Sequence, residues 1–518
     1  MSRMDDIVSL CRRRGFIFQS SEIYGGINGF WDYGPLGAQM KKNLREAWWQ
    51  DMIMRPAWGR PGPGGKNVRC VPVETRIIQH PKVWEASGHV GGFNDPMVDC
   101  RETKNRYRYD HVSVFVPASG DAGDKPLFAF MKDSPSEAKQ QKKAEKAFGQ
   151  VKVVALTTIP VANFAKVLGP DAEKVGTLTE PRQFNLMFHT YVGATASGDD
   201  KAYLRPETAQ GIFVQFKNVV DTTRVKVPFG IGNTGTSFRN EVTPRNFTFR
   251  SREFDQAELE FFCHPDESVE WYKFWRDFRM EWWKTIGLAG ENLILREHEK
   301  DELSHYSQGT SDVEYRFPFT APGFGELEGI AHRGCYDLTQ HQEHSKTKLE
   351  YFDQEMQLRL QAEGKSKEEI AQKSKYIPHC IEPAAGLDRG VLALLCEAYT
   401  VDASRPSPEL MKFHPRIAPI KAAVFPLVAK DGMPEIAEKL HAELSGMFWR
   451  VGGVEMDEKQ SIGKRYARMD EAGCPFCFTI DGETAASQTV TVRDRDSGQQ
   501  ERIALDKAGA FLNDKLGM

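Results

Sequence analysis

Arginines and glutamates recur at strand spacing between Phe229 and Phe262. Two strand-like segments in this stretch flank a turn at Thr243-Pro244-Arg245-Asn246, which predicts an antiparallel hairpin. Period-two alternation places one set of side chains on a single face of the second segment: Arg250, Arg252, Phe254, Gln256, Glu258 and Glu260. Guanidinium groups bind phosphate oxygens in pairs, and carboxylates hold ammonium groups. The predicted face is unusually charged for a strand.

A solvated sheet face is the ordinary explanation of alternating charge. That alternative gives no reason for a set of arginines, glutamates and an aromatic residue in one register: Arg239, Glu241, Arg252, Phe254 and Glu258. We therefore favour a binding face over a solvated one.

The strings FRNE (238–241), REF (252–254) and AELE (257–260) resemble the second signature motif of class II aminoacyl-tRNA synthetases, in the form found in glycyl-tRNA synthetases. The resemblance implies that Arg239 binds the α-phosphate of ATP and that Asn240 and Glu241 line the nucleotide. It also implies that an aromatic residue of the returning strand stacks on adenine. Attack of a carboxylate on the α-phosphorus builds negative charge on phosphate oxygens, which a guanidinium neutralises without proton transfer.

Further strings match the same family in the same order: WDYGPLG (31–37), WEASGH (84–89), RPETAQG (205–211), GELEGIA (325–331) and IEPAAGLDRG (381–390). The resemblance implies that Glu207 binds the substrate ammonium and that Arg108 binds the glycine carboxylate. It also implies that Glu382 lies at the amino-acid pocket. Glu326 carries ATP with Mg²⁺, and Arg389 lies on the γ-phosphate side of ATP. A charge run facing solvent or tRNA is the alternative for Arg108. A surface role for Glu207 fits poorly between Pro206 and an apolar segment.

The resemblance implies three sets of site residues. The catalytic set is Arg239, Arg389 and Glu241. The ATP-binding set is Arg239, Asn240, Glu241, Phe249, Arg250, Ser251, Arg252, Glu253, Phe254, Glu326, Leu327, Gly386, Leu387, Asp388 and Arg389. The glycine-binding set is Arg108, Glu207, Phe254, Asp255, Gln256, Ala257, Glu258, Glu382, Pro383, Ala384, Ala385 and Gly386. The family usually has Ser where this chain has Ala384, so a hydroxyl contact to glycine is missing or is supplied by water.

The fold class implied is α/β. An α+β catalytic domain with a class II antiparallel sheet flanked by helices is followed by an α/β anticodon-binding domain. Residues 1–111 and 181–404 form the catalytic domain, residues 112–180 an inserted subdomain and residues 415–518 the anticodon-binding domain. The helix after Pro35 resembles the first class II motif, which implies a homodimer; its apolar stripe by itself would indicate only core.

Two parts of the chain leave alternatives open. The Ser134-Pro135-Ser136-Glu137 string predicts a capping box and a basic helix ending at Gly149, which is either solvated or leans on tRNA. Basic side chains of the C-terminal domain either meet anticodon bases or are solvated: Lys464, Arg465, Arg493 and Arg495.

In the helix before Gly287, recurring aromatic residues are interpreted as core and not as base-stacking platforms.

Composition narrows the class of protein. The 518 residues carry 68 Lys+Arg against 72 Asp+Glu, a formal net charge of -4, so any RNA binding needs a local basic patch. The 9 cysteines are scattered and odd in number, which favours a reducing cytoplasm over a disulfide framework. The one CxxC, Cys474 to Cys477, has no second Cys/His pair at zinc-finger spacing. No apolar run reaches membrane length, and no membrane partner is expected.

We expect glycine and ATP to give glycyl-adenylate, and the glycyl group then to pass to the 3' end of tRNA(Gly). Partners implied are glycine, ATP, Mg²⁺, tRNA(Gly) and a second copy of the chain. A synthetase-derived RNA-binding protein without chemistry is an alternative, but both motif arginines are present. A ligase that loads glycine onto another carrier is a second alternative, opposed by the C-terminal domain. A class I synthetase lacks support because neither a HIGH nor a KMSKS motif occurs.

Overall fold

The computed structural model describes residues 2–120, 122–132, 134–193, 200–300, 302–303 and 307–517. The chain divides into two compact units. The first unit comprises residues 1–79, 207–237 and 246–518, and the second comprises residues 80–206 and 238–245. The second unit is wider than the subdomain expected at residues 112–180. The reason is that Val98, Cys100 and Tyr107 share one hydrophobic core with the strands of that subdomain.

The N-terminal part of the first unit begins with an amphipathic helix whose buried side is formed by Ile7, Leu10 and Cys11. Its elements are α1 Arg3–Arg14, β1 Ile17–Gln19, β2 Trp31–Tyr33, α2 Pro35–Trp49, β3 Cys70–Pro72 and β4 Ile78–Gln79. Gly15 ends α1 at φ 75°, a backbone conformation that glycine adopts without strain. Pro35 occupies the first turn of α2, where its fixed φ suits a helix start and its missing N–H costs no hydrogen bond.

The second unit is built around short antiparallel sheets. Its elements are α3 Pro81–Ala86, α4 His89–Gly92, β5 Asn94–Asp99, β6 Arg106–Arg108, β7 Val112–Pro117, β8 Leu127–Met131, α5 Pro135–Phe148, β9 Val151–Ala155, β10 Val167–Leu168, β11 Arg182–Asn185, β12 His189–Tyr191 and β13 Lys201–Leu204. One sheet has the strand order β10-β8-β7-β9, with α5 packed against β7 and β8. A second has the order β11-β5-β6.

Helix α5 begins and ends where the sequence predicts, at Pro135 and before Gly149. The predicted capping box is wrong. The Ser134 hydroxyl makes no bond to the amides of the first turn and instead donates to the carbonyl of Met131 at 2.6 Å. The Ser136 hydroxyl lies 2.6 Å from that of Ser134, so local side-chain bonding competes with the cap.

The rest of the first unit's central part carries the large sheet. Its elements are α6 Ala209–Thr223, β14 Phe229–Phe238, β15 Glu253–Cys263, α7 Ser268–Thr285, β16 Leu293–Glu297, β17 Gly309–Tyr315, β18 Gly325–Gly334, α8 Tyr336–Ser345, β19 Tyr351–Phe352, α9 Gln354–Ala362, α10 Lys367–Lys373, β20 Lys375–Tyr376, β21 His379–Gly386, α11 Leu387–Ala398, β22 Tyr399–Val401 and β23 Glu409–Met411. The strand order is β16-β17-β18-β21-β15-β14-β3. Strands β16, β17, β18, β21 and β15 pair antiparallel, whereas β14 and β3 pair parallel.

The two segments of the expected hairpin, β14 and β15, are neighbours in this sheet. The predicted face is wrong at its start, because β15 begins at Glu253 and leaves Arg250 and Arg252 outside the strand. A short 3₁₀ turn, Phe247–Phe249, precedes them. The tryptophans of α7 are buried, as expected for core residues.

The C-terminal part of the first unit is a five-stranded mixed sheet with helices. Its elements are β24 Ile420–Pro426, α12 Met433–Phe448, β25 Gly453–Met456, α13 Ile462–Ala472, β26 Phe476–Ile480, α14 Thr484–Ser487, β27 Thr489–Asp494, β28 Gln500–Ala504 and α15 Ala508–Leu516. The strand order is β25-β24-β26-β27-β28. Cys474 and Cys477 are buried free thiols in this part. Within the described ranges, no helix combines the length and apolar character needed to cross a bilayer.

A buried ion pair lies beneath the large sheet. The Arg279 guanidinium of α7 donates to both carboxylate oxygens of Glu328 on β18, at 2.6 and 2.9 Å. The indole N–H of Trp283 donates to the same carboxylate at 2.6 Å. Both charged side chains are fully buried, so α7 is fixed to the sheet by a pair that water cannot replace.

We expect Glu328→Leu to lower the free energy of unfolding by roughly 3 to 5 kcal/mol, because it leaves the Arg279 charge buried without a partner. The double variant Arg279→Met/Glu328→Leu removes both charges and should recover most of that loss. Denaturant or thermal unfolding of the three proteins measures both effects. Equal stability of the single and double variants would contradict this reading of the pair.

Candidate active site

One face of the large sheet carries a buried polar cluster. Its strand residues come from β15 and β21, where the register pairs Glu258 with Ala384, and from β18, where it pairs Ala331 with Glu382. Gln256, Glu258 and Glu260 are all buried. The solvated-face alternative is therefore wrong, because β15 is a central strand covered on both sides.

Glu258 is held as an acceptor by three donors. The backbone N–H and the hydroxyl of Thr208 both donate to its Oε2, the former at 2.9 Å, and the Gln256 amide donates to Oε1 at 2.6 Å. Thr208 belongs to the RPETAQG motif and directly precedes α6, which begins within that motif at Ala209. The motif thus brings its own hydroxyl and amide to the carboxylate of a distant strand.

Arg333 connects the other carboxylates of the cluster. Its guanidinium bonds both oxygens of Asp337 at 2.8 Å and reaches both oxygens of Glu382 at 3.0 Å. The Gln210 amide then joins Asp337, at 2.9 Å, to Glu207, at 3.0 Å. The predicted residues Glu207, Glu258 and Glu382 therefore belong to one connected cluster.

Sequence reasoning missed several members of this cluster: Thr208, Gln210, Arg333, Asp337 and His341. It placed Glu260 on the charged strand face but in none of the three sets of site residues. His341 contacts the Gln210 amide oxygen at 2.8 Å. One signal was available, since Arg333 and Asp337 stand four residues apart across the start of α8 and form a close ion pair. Their spacing does not reveal that they face Glu382.

Charge decides what this cluster can bind. Five carboxyl groups meet one guanidinium within it: Glu207, Glu258, Glu260, Asp337 and Glu382 against Arg333. Buried like charges repel strongly, so such a set favours a cationic ligand. An ammonium group of small size meets both the charge and the crowded surroundings.

A second group of predicted residues gathers around Arg389. Its guanidinium lies 4.7 Å from the centre of the Phe249 ring, and its Nε donates to the Phe249 carbonyl at 3.1 Å. Its Nη1 lies 3.1 Å from the Glu326 carboxylate, whose side chain is 51% exposed. A flat cation against an aromatic ring is a surface on which a purine stacks.

Two predicted ligand-binding carboxylates are engaged elsewhere. Asp388 accepts bonds from the Tyr33 hydroxyl at 2.5 Å, from Lys41 Nζ at 2.8 Å and from the Asp255 amide at 2.6 Å. Asp255 pairs with Lys41 at 3.0 Å and with Arg45 at 2.6 Å. Burial works against the charge of Lys41, but the two carboxylates outweigh it and raise its pKa. The pair thus anchors α2 to β15 and α11.

Other members of the predicted sets lie in the main core or in local contacts. The side chains of Ala257, Leu327, Ala385 and Leu387 are buried in the hydrophobic core, so only their backbone can reach a ligand. Arg252 donates to the Asn28 carbonyl at 2.9 Å, and the Ser251 hydroxyl bonds the Thr248 carbonyl at 3.4 Å. Burial raises the pKa of Glu253, with a further contribution from Asp255.

The second unit holds the remaining predicted residues. The Arg239 Nε donates to the Pro206 carbonyl at 3.1 Å, and its guanidinium lies 5.5 Å from the centre of the Phe93 ring. The backbone N–H of Asn240 donates to the Leu186 carbonyl at 2.8 Å. The backbone N–H of Glu241 donates to the Arg239 carbonyl at 2.6 Å. Arg108 pairs with Asp110 at 2.6 Å and with Asp95 at 3.2 Å.

The carboxylates near Arg389 suit a hard cation shared with phosphates. Glu326 on β18 lies opposite Glu314 on β17. Burial raises the pKa of Asp312, and the charge of Glu326 raises it further. Among the described residues, no group of three or more His, Cys, Asp or Glu is arranged to hold a metal ion by itself. Mg²⁺ usually binds through one or two carboxylates, water and substrate phosphates, so these residues fit Mg²⁺ entering with a nucleotide.

The four basic residues of the C-terminal part, predicted either to meet anticodon bases or to be solvated, differ in burial. Arg465 and Arg495 are buried and donate to backbone carbonyls, so they stabilise the fold and cannot read bases. The prediction for these two is wrong, because sequence does not show that their guanidinium groups point inward. Arg493 makes a bidentate pair with Asp470 at 2.8 and 2.9 Å. Lys464 lines a surface cavity of about 410 Å³ together with Arg493 and Tyr466.

Comparison with known families matches both halves of this architecture. Residues 192–399 match the tRNA synthetase class II core domain (G, H, P, S and T), and residues 421–515 match the anticodon binding domain. With the mainly antiparallel sheet and its site, these matches define a class II aminoacyl-tRNA synthetase. The predicted fold class is therefore confirmed.

Full-length relatives refine that class. The glycine--tRNA ligase of Rhodopirellula baltica is 50% identical, with 99% of each chain covered. Those of Staphylococcus epidermidis (strain ATCC 12228 / FDA PCI 1200) and Staphylococcus aureus (strain JH9) are 43% and 44% identical, and at least 98% of each chain is covered. The chain belongs to the glycine--tRNA ligase family, as the sequence motifs predict.

We expect Lys41→Met to raise the Kd for ATP about tenfold, equivalent to ~1.4 kcal/mol, because Asp388 and Asp255 lose the cation that orients the start of α11 and hence Arg389. Isothermal titration calorimetry measures the change. Lys41→Arg keeps the charge and should recover most of the affinity. An unchanged Kd in Lys41→Met would show that Arg389 is oriented without this network.

Proposed function

We propose that this chain activates glycine in the polar cluster and loads it onto tRNA(Gly) in two steps. In the first, a glycine carboxylate oxygen attacks the α-phosphorus of ATP and pyrophosphate leaves, which gives glycyl-adenylate. In the second, a ribose hydroxyl at the 3' end of tRNA attacks the acyl carbon and AMP leaves. The excess of buried carboxylates at one face of the sheet is the observation that carries the proposal.

Glu207, Glu258 and Glu382 bind the glycine ammonium in this proposal, and they do so as parts of a fixed network. Glu258 is oriented by Thr208 and Gln256, so its position is set before glycine arrives. Acceptors that are already held in place need little further ordering when the ligand binds, so less of the binding free energy is lost to conformational entropy. The carboxylates also crowd the glycine Cα, so any larger amino acid meets overpacking in addition to repulsion. Ala384 leaves the position opposite Glu258 without a hydroxyl.

Arg239 and Arg389 supply positive charge for the phosphates, and Arg239, Asn240 and Glu241 are proposed to bind the nucleotide as the motif implies. Phe249 and Arg389 offer the stacking surface for adenine. Arg108 is proposed to hold the glycine carboxylate. No nucleophilic side chain is needed, because alignment and charge stabilisation account for both steps.

Glu326 is proposed to hold Mg²⁺ with ATP, and Glu314 lies opposite it in the register. When bound, Mg²⁺ neutralises phosphate charge and favours pyrophosphate as a leaving group. The contact between Glu326 and Arg389 keeps the carboxylate beside the phosphate-binding arginine before ATP binds.

The purified protein should catalyse ATP–pyrophosphate exchange with glycine and with none of the other nineteen amino acids. Glu258→Ala should reduce glycine-dependent exchange more than 100-fold, because it removes a buried charge that is already hydrogen-bonded for the ammonium. Charging of purified tRNA(Gly) with labelled glycine completes the assay.

Two outcomes would count against this assignment. Normal exchange in Glu258→Ala would refute the pocket, and silence with glycine but activity with another amino acid would refute the specificity. The two alternative functions are separated by the same assays. An RNA-binding relative without chemistry shows no exchange, and a ligase for another carrier shows exchange without tRNA-dependent release of AMP.

A homodimer is proposed to form through the N-terminal part of the first unit. Ile23 and Tyr24 precede β2 and α2 in the chain and are 89% and 87% exposed. Adjacent large apolar side chains with such exposure are typical of interaction sites. Helix α2, which resembles the first class II motif, follows this segment in the chain.

Ile23→Asp/Tyr24→Glu should convert the dimer to a monomer, because charged side chains cannot be buried in an apolar interface without a partner. Light scattering after size-exclusion chromatography measures the mass. Leu358→Glu serves as a matched control, since Leu358 is also an exposed apolar residue, at 57%. A dimeric double variant would place the interface elsewhere.

The C-terminal part is proposed to bind the anticodon stem and loop of tRNA(Gly). Lys464 and Arg493 of the predicted set both line a surface cavity beside the Tyr466 ring. The α5 helix of the second unit is proposed to be solvated or to approach the acceptor stem. We also propose a cytoplasmic location, because the nine cysteines are all free thiols.

A further inference from the structure

Two carboxyl groups of the polar cluster face each other across neighbouring strands. The register pairs Phe261 of β15 with Ile381 of β21, and Glu258 with Ala384, which places Glu260 directly opposite Glu382. Residues opposite each other in an antiparallel pair have Cβ atoms about 4.5–5.5 Å apart. Two ionised carboxylates at this distance in a buried site repel strongly, so the pair favours a state with one proton.

The hydrogen bonds around the pair show which member carries that proton. Arg333 Nη1 lies 3.0 Å from both oxygens of Glu382, which stabilises an ionised carboxylate there. Glu260 receives only the weak S–H donor of Cys380, at 2.9 Å to its Oε2. Its Oε1 is buried and has no hydrogen-bond partner among the described residues, and the side chain is 0% exposed.

Several charged or titratable groups face Glu260. They are Glu382 and Cys380 from β21, Arg333 from β18 and Glu258 from its own strand. Burial raises the pKa of Glu260 well above its usual range, and the charge of Glu382 raises it further. Arg333 and the Cys380 thiol act in the opposite direction but do not compensate. Glu258 accepts hydrogen bonds from three donors of its own.

We propose that Glu260 is a positioning residue of the glycine pocket that keeps its proton during the reaction and directs its O–H, from Oε1, toward the carboxylate of Glu382. A neutral Glu260 leaves Glu382 as the ionised member of the pair, held by Arg333 on one side and by Glu260 on the other. The ammonium of glycine then meets a carboxylate of fixed orientation. This inference rests on the proposed function, since it deepens the assignment of the same pocket.

The pH dependence of the stability of Glu260→Gln tests whether Glu260 is protonated in the folded state, and it needs no substrate. A raised pKa in the folded state means that the unfolded chain ionises above about pH 4.5 while the folded chain keeps its proton. Wild type therefore loses stability relative to the permanently neutral Gln variant as pH rises. We expect the melting temperature of Glu260→Gln minus that of wild type to increase steadily from about pH 5 to about pH 8.

Activity of matched variants tests the positioning role. Glu260→Gln keeps the shape and a donor group, so we expect the KM for glycine in pyrophosphate exchange to rise at most about fivefold with little change in kcat. Glu258→Gln is the matched control two residues away on the same face, and it should lose more than about 100-fold in kcat/KM because it neutralises an ionised ligand. Glu260→Met lacks the O–H and should raise the KM further than Gln does.

Several results would overturn the inference. They are a melting-temperature difference that is flat or falls with pH, a loss in Glu260→Gln as large as in Glu258→Gln, and a Gln variant that does not fold. A KM in Glu260→Met no higher than in Glu260→Gln would also overturn it. Failure of the proposed function looks different: wild type would show no glycine-dependent exchange, while the pH-dependent stability difference would persist.

Discussion

A buried excess of carboxylate groups is the constraint on which the rest of this structure depends. Charged groups leave water only at high cost unless donors replace it. The cluster meets that cost with Arg333, with the Thr208 hydroxyl and amide, and with side-chain amides. These donors come from β15, from β18 and from the start of α6, so the cluster and the tertiary fold require one another.

The large sheet separates two kinds of buried charge. On one face, the positive charge of Arg279 is matched by the negative charge of Glu328. The indole N–H of Trp283 also donates to the Glu328 carboxylate. On the other face, the polar cluster contains more carboxyl groups than guanidinium groups. A balanced pair needs no ligand, whereas an unbalanced set favours a cation. The same strand, β18, contributes Glu328 to one face and Arg333 to the other, which couples the structural pair to the amino-acid pocket.

A network of salt bridges connects helix α2 to β15 and to the start of α11. Lys41 and Arg45 of α2 contact Asp255 of β15, and Lys41 also contacts Asp388 next to Arg389. The proposed dimer surface at Ile23 and Tyr24 precedes α2 in the chain, so association of two copies would involve a segment close in sequence to the Lys41 network. Neither aspartate is free to act as a ligand for ATP or glycine without breaking these pairs.

The sequence by itself determined the family, the fold class and most elements, because motifs such as RPETAQG and IEPAAGLDRG are local strings whose spacing can be read directly. It also predicted ligand-binding roles for Glu207, Glu258, Glu382, Arg389 and Glu326, and those roles stay predictions. Tertiary structure alone decided which carboxylates have partners. Asp255 and Asp388 resemble ligands in sequence but are paired with α2, and Arg465 and Arg495 resemble surface groups but are buried. Arg333, Asp337 and Glu260 gained their roles only when β15, β18, β21 and α8 came together, since pairing across strands and helices depends on register and burial that no local pattern contains.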